Sequence, residues 1–86
     1  MQYLLMYRSL TRAQRSAKLL ERAGITGTVA KMPRSAGTKG CAYGVLISPR
    51  NRQRAAETLG AEGLMPERVY ERAPDGSLKE VPGDLA

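Results

Sequence analysis

Residues 42–49 read Ala42-Tyr43-Gly44-Val45-Leu46-Ile47-Ser48-Pro49. The first six are small or apolar, and Val45-Leu46-Ile47 runs without a polar break, as in a strand buried on both faces. Ser48-Pro49 then marks a helix start. A serine side chain can accept from a helix N–H that has no partner, and proline's missing N–H and fixed φ suit the first helical position. A strand that passes directly into a helix is half of a β-α unit, so the flanking elements decide the fold.

Downstream, Ala55, Ala56 and Leu59 form the inward positions of a second helix, which is expected to stop at Gly63 rather than Gly60. Glu67 to Arg72 then reads as a last strand, with Val69 and Tyr70 apolar and charges alternating as on an edge. Upstream, Thr28 to Met32 reads as a short strand ended by Pro33, followed by the small, basic loop Arg34-Ser35-Ala36-Gly37-Thr38-Lys39-Gly40. At the start, Tyr3-Leu4-Leu5-Met6-Tyr7 is a nearly continuous apolar run. Ser9 or Thr11 can open a first helix, expected over about Thr11 to Ala23. Leu10, Ala13, Ala17 and Leu20 form its inward stripe, and Gly24 is its stop.

The order is β-α-β-β-α-β, the split βαβ or ferredoxin-like pattern of the α+β class. It predicts four antiparallel strands with two helices on one face, the first and third strands central and the second and fourth at the edges. The two most apolar runs fall at the central positions. The expected domain is 1–72. Residues 73–86, with two prolines and two glycines, are expected to be a loosely ordered tail with a turn at Pro74-Asp75-Gly76.

At 86 residues the chain is one domain with a thin core. It has no histidine and one cysteine. An internal disulfide, a His-ligated metal site and every Ser-His or Cys-His catalytic pair are thereby excluded, and no cofactor is called for. No stretch reads as a secretion signal or membrane span, so a cytoplasmic setting is expected. The net charge of +6 is uneven. Residues 1–54 hold eleven Lys or Arg against one acid, Glu21, while residues 55–86 hold three bases against seven acids. A basic region of this kind attracts acidic proteins, nucleic acid or small anions.

Cys41 is the only side chain suited to covalent chemistry. It follows the basic loop, with Lys39 two residues before it and Arg34 seven before it. Nearby positive charge favours the thiolate, and the loop glycines would let backbone N–H groups approach an anion. Arg34, Thr38, Lys39 and Gly40 are the candidate binding residues around it. The competing reading is a core cysteine acting as a small hydrophobe.

Residues 1–72 resemble a family of short bacterial proteins described as selenium/sulfur carrier-like. The resemblance rests on the Tyr3-Leu4-Leu5-Met6 strand and on a helix with Ala17, Leu19, Leu20 and Ala23-Gly24-Ile25. Pro33-Arg34, Cys41 ahead of an apolar strand, and Val69-Tyr70 complete it. In the family the cysteine usually follows serines and precedes a glycine. Here Thr38-Lys39-Gly40 precede it, Ala42 follows, and the next glycine is Gly44. The resemblance implies that Cys41 accepts a persulfide or selenide equivalent from a desulfurase-type donor and passes it to an acceptor enzyme. That is carriage by covalent adduct rather than turnover. With no second cysteine in the chain, release needs an outside thiol or acceptor.

Two other readings compete. RNA-recognition domains share the element order, and Lys39-Gly40-Cys41-Ala42-Tyr43 loosely echoes their central-strand motif, with Tyr3 as partner aromatic. Alternatively the domain is a regulatory or assembly module that pairs into a homodimer through a sheet edge or its open face.

Overall fold

The computed structural model describes residues 1–31 and 43–81. Its elements are β1 (Gln2–Tyr7), α1 (Leu10–Arg22), β2 (Thr28–Lys31), β3 (Tyr43–Ile47), a 3-10 turn (Pro49–Asn51), α2 (Arg52–Ala61), β4 (Arg68–Arg72) and β5 (Leu78–Glu80). The strands form one antiparallel sheet in the order β2-β3-β1-β4-β5.

The first β-α-β-β-α-β elements follow the expected order, and β1 and β3 are interior as their apolar runs require. The expected count of four strands is corrected to five, because Leu78–Glu80 pairs with β4. This strand lies in the stretch expected to be a tail. It is reached through a turn at Pro74–Gly76, where Gly76 has φ +89° and Gly76 N–H donates to the Ala73 carbonyl. Asp75 accepts from both the backbone N–H and the hydroxyl of Ser77, at 2.9 and 2.7 Å, which holds the hairpin shut. As a result β4 is an interior strand, not an edge.

β1 alternates between the two faces of the sheet. Tyr3, Leu5 and Tyr7 point to the helix side, opposite Ile47, Val45 and Tyr43 of β3. There they meet Ala13 and Leu20 of α1 and Ala55, Ala56 and Leu59 of α2. Leu4 and Met6 point the other way and form a smaller cluster with Tyr70, flanked by Leu46 and Leu78. Burial of β1 on both faces explains its unbroken apolar run.

Each helix boundary has a local cause. Ser9 caps α1, its hydroxyl accepting from Arg12 N–H. Thr11, the other candidate start, lies inside the first turn. Leu10, expected in the inward stripe, is 40% exposed because the first helical residue overhangs the core edge. Ser16 is fully buried instead. Ser48-Pro49 opens the second helical stretch as expected, but with a 3-10 turn and no side-chain cap bond.

Both helices end in the same way. Gly24 and Gly63 take the left-handed conformation, with φ +80° and +66°. Ile25 N–H reaches back to the Leu20 carbonyl, and Leu64 N–H to that of Leu59, both at 2.9 Å. Gly24 N–H donates to Glu21 and Gly63 N–H to Gly60, which completes a Schellman stop on each helix. Leu20-Glu21-Arg22-Ala23-Gly24-Ile25 and Leu59-Gly60-Ala61-Glu62-Gly63-Leu64 are thus equivalent segments of the two halves. In each, the terminal Ile25 or Leu64 turns back into the core.

Candidate thiol site

Cys41, Arg34, Thr38, Lys39 and Gly40 all lie outside the described residues. So do Met32, Pro33 and Ala42, at the expected ends of the second and third strands. The structure does fix where their segment is attached. Lys31 and Tyr43 are direct partners across β2 and β3, so both ends of the segment leave the same end of the sheet. Cys41 is two residues from Tyr43, so chain connectivity alone keeps the two Cα atoms within about 7 Å.

Tyr43 is half-buried and sits opposite Tyr7 of β1. Tyr7 is fully buried, and its hydroxyl donates to the Leu64 carbonyl at 2.6 Å, just beyond α2. Burial raises the Tyr7 pKa, a shift partly opposed by the Ser16 hydroxyl and by the positive charge of Arg12. Ser16 Oγ is buried without a hydrogen-bond partner among the described residues. Tyr7 is therefore a neutral structural post under this end of the sheet, holding the α2–β4 connection against β1.

Cations and acids are mixed at this end. Lys31 is exposed there. Arg8 pairs with Glu67 at 3.1 Å on the surface, and Glu67 N–H donates to the Met6 carbonyl. The Arg12 guanidinium reaches the Gly63 carbonyl at 3.5 Å. The N-terminus of α1 opens at the same end, three residues past β1, and no acid in its first turn offsets the partial positive charge of its free N–H groups. Sequence reasoning did not bring this helix end to the loop. The signal was present in the short step from Tyr7 to Ser9, which forces the helix to begin where β1 stops.

The aromatic pair that an RNA-recognition sheet would need is not on the open face. Tyr3 and Tyr43 both belong to the helix side. The Arg52 guanidinium covers the Tyr3 ring at 5.2 Å from its centroid and donates to its hydroxyl. Bases stack on the exposed face of a sheet in that mode of binding, and these two rings are turned away from it.

Among the described residues no group of three or more His, Cys, Asp or Glu side chains could hold a metal ion. No helix there is long and apolar enough to cross a membrane.

The model of the family described as "Putative Se/S carrier protein-like" matches residues 2–71. The chain belongs to this family. The match runs from the first strand into β4, ending at Glu71, and spans the segment containing Cys41. The hairpin strand β5 lies beyond the matched residues. Comparison with curated proteins and with solved structures found no match.

Proposed function

We propose that this Se/S carrier-like protein carries a sulfane sulfur or selenium atom on Cys41. The observation that carries the reading is the family match across residues 2–71, a span in which Cys41 is the only thiol. Two further features support it: the paired ends Lys31 and Tyr43, which fix where the Cys41 segment attaches, and the N-terminus of α1, which opens at the same end of the sheet with no acid in its first turn.

The transfer needs no redox partner. The Cys41 thiolate attacks the outer sulfur of a donor persulfide, R–S–SH. A new S–S bond forms as the donor's S–S bond breaks, and the donor leaves as R–S⁻. Cys41 then holds the persulfide until an acceptor takes its terminal atom by the same exchange, which returns the Cys41 thiolate. A selenium atom in the outer position follows the same course. Under this reading the charges of Lys39 and Arg34 favour the thiolate, Thr38 and Gly40 are the further binding residues beside Cys41, and the donor is a desulfurase-type enzyme. The reading requires a thiolate at neutral pH, which the alkylation rate of Cys41 against pH measures.

The test is intact-mass measurement after incubation with a desulfurase and its amino-acid substrate. A gain of one sulfur or selenium atom, absent in Cys41→Ser and reversed by an added thiol, is the expected result. An unmodified wild-type protein under conditions where the desulfurase turns over would refute the reading.

A further inference from the structure

We propose that the groove beside α1 is the docking surface for an acidic, leucine-bearing segment of a partner protein. The inference rests on the carrier reading for its purpose, since a carrier must hold donor and acceptor against its thiol, but on separate residues for its evidence.

The groove has a volume of about 280 Å³ and is lined by Arg15, Lys18, Leu19 and Arg22 of α1 together with Glu62 and Leu64. Most described arginines are engaged with the protein itself. Arg8 pairs with Glu67, Arg12 with the Gly63 carbonyl, Arg54 with the Ala23 carbonyl, Arg68 with Glu80 and Arg72 with Gln2. Arg15, Lys18 and Arg22 are exposed and have no such bond among the described residues, and all three line this one groove. Their spacing of three and four residues aligns them along one side of the helix over about 10 Å. Three cations held this close repel one another, and Glu62 is the one acid among the described residues that lines the same groove, so a further anionic partner is favoured there.

The floor decides which anion. Leu19 is half-buried and Leu64 is nearly buried, and no aromatic side chain lines the groove. A nucleic-acid strand would find phosphate contacts but no ring to stack on, and would leave the leucines uncovered. A protein helix with acids on one side and leucine on the other fills both features. Glu62 sets the direction: it disfavours an acid at the α2 end of the groove and leaves Arg15, Lys18 and Arg22 to receive the acids. The Leu64 end is also the end of the sheet at which the Cys41 segment attaches. The Leu64 carbonyl is bonded to Tyr7, which pairs with Tyr43, two residues from Cys41.

The test is an NMR titration of the full chain with a synthetic amphipathic peptide carrying glutamates and leucines at helical spacing. A glutamate-only peptide and a single-stranded RNA serve as competing probes. Shifts should concentrate on Arg15, Lys18, Leu19, Arg22 and Leu64, and binding should weaken with added salt. The doubly exchanged variant Arg15→Glu, Lys18→Glu should bind about ten-fold or more weakly while keeping its fold. Shifts elsewhere, wild-type affinity in the exchanged variant, or tighter RNA binding on the same residues would overturn the proposal. Cys41→Ser should bind the peptide as wild type does. Loading of Cys41 by a small-molecule persulfide, measured in parallel, separates the two readings. A wild type that maps the peptide to the groove but does not load supports the docking surface and overturns the carrier reading alone. Loading with no peptide binding overturns the docking surface alone.

Discussion

The hydroxyl of Tyr7 and the carbonyl of Leu64 meet at 2.6 Å, although 57 residues of chain separate them. This bond joins the middle strand of the sheet to the connection that follows α2, directly beneath the end where the Cys41 segment attaches. Tyr7→Phe keeps the ring and strands a buried carbonyl, which costs about 1–2 kcal/mol. In a domain of this size that lowers Tm by about 4–16 °C, readable by thermal denaturation.

The same residue predicts an alkaline limit to stability. Burial is the main cause lifting the Tyr7 pKa above its ordinary 10.0. The folded state therefore holds the phenol proton more tightly than the unfolded chain does. That contribution is complete below about pH 10 and is lost as pH rises through the higher folded value. Urea denaturation across this range should show the loss in wild type and a smaller one in Tyr7→Phe.

The paired helix stops predict equal penalties. Gly63 has no atom within 4 Å of an added Cβ, and at Gly24 only Arg54 Nη2 comes to 4.0 Å. Alanine is resisted at both by its backbone conformation alone, at about 1–2 kcal/mol each, with asparagine milder. Denaturation of Gly24→Ala and Gly63→Ala should give similar losses. A large loss at one and none at the other would contradict the equivalence of the two stops.

Gly27 fails for a different reason. Its backbone needs no left-handed turn, but an added Cβ would lie 3.0 Å from Val45 Cγ1 and 3.4 Å from Leu20 Cδ1. Gly27→Ala wedges α1 away from β3 and should cost about 1–3 kcal/mol by the same assay, with a changed methyl environment at Val45 in NMR spectra.

Charge around the thiol predicts a shift of reactivity. Lys39→Met should raise the apparent pKa of Cys41, read from alkylation rate against pH, by about half a unit to one unit. The structure of the domain should be unaffected. An unchanged profile would show that Lys39 has no part in activating the thiol.

Local signals were the legible part of this molecule. Ser9, Gly24 and Gly63 each determine a helix end through their own conformational preferences, and each could be read without knowing the fold. Ser48-Pro49 located the second helical stretch, but not the 3-10 turn that opens it, which depends on how the chain leaves β3. Leu10 was misassigned to the core and Ser16 overlooked, because periodicity marks a helix face but not how far the core extends along it. β5 could not be read at all. Leu78-Lys79-Glu80 holds one apolar residue, and only pairing with β4 makes it a strand. For the thiol site, residue chemistry was legible in Cys41, Lys39 and Arg34. The opening of α1 at the end of the sheet where the Cys41 segment attaches, and the Tyr7–Leu64 tie, were not, since both depend on packing between distant segments.

The hairpin from β4 into β5 has a consequence for how the molecule behaves in a crowded solution. The hydrogen-bonding groups of Val69 and Tyr70, the most β-prone residues of β4, are already committed on both sides. Among the described residues, the sheet's borders are Thr28–Lys31 and Leu78–Glu80, four and three residues long, with Lys31 on one and Lys79 and Glu80 on the other. Borders this short and charged are poor templates for a further strand. Fibrous growth and swapped-strand copies through these two described borders are disfavoured by their length and charge.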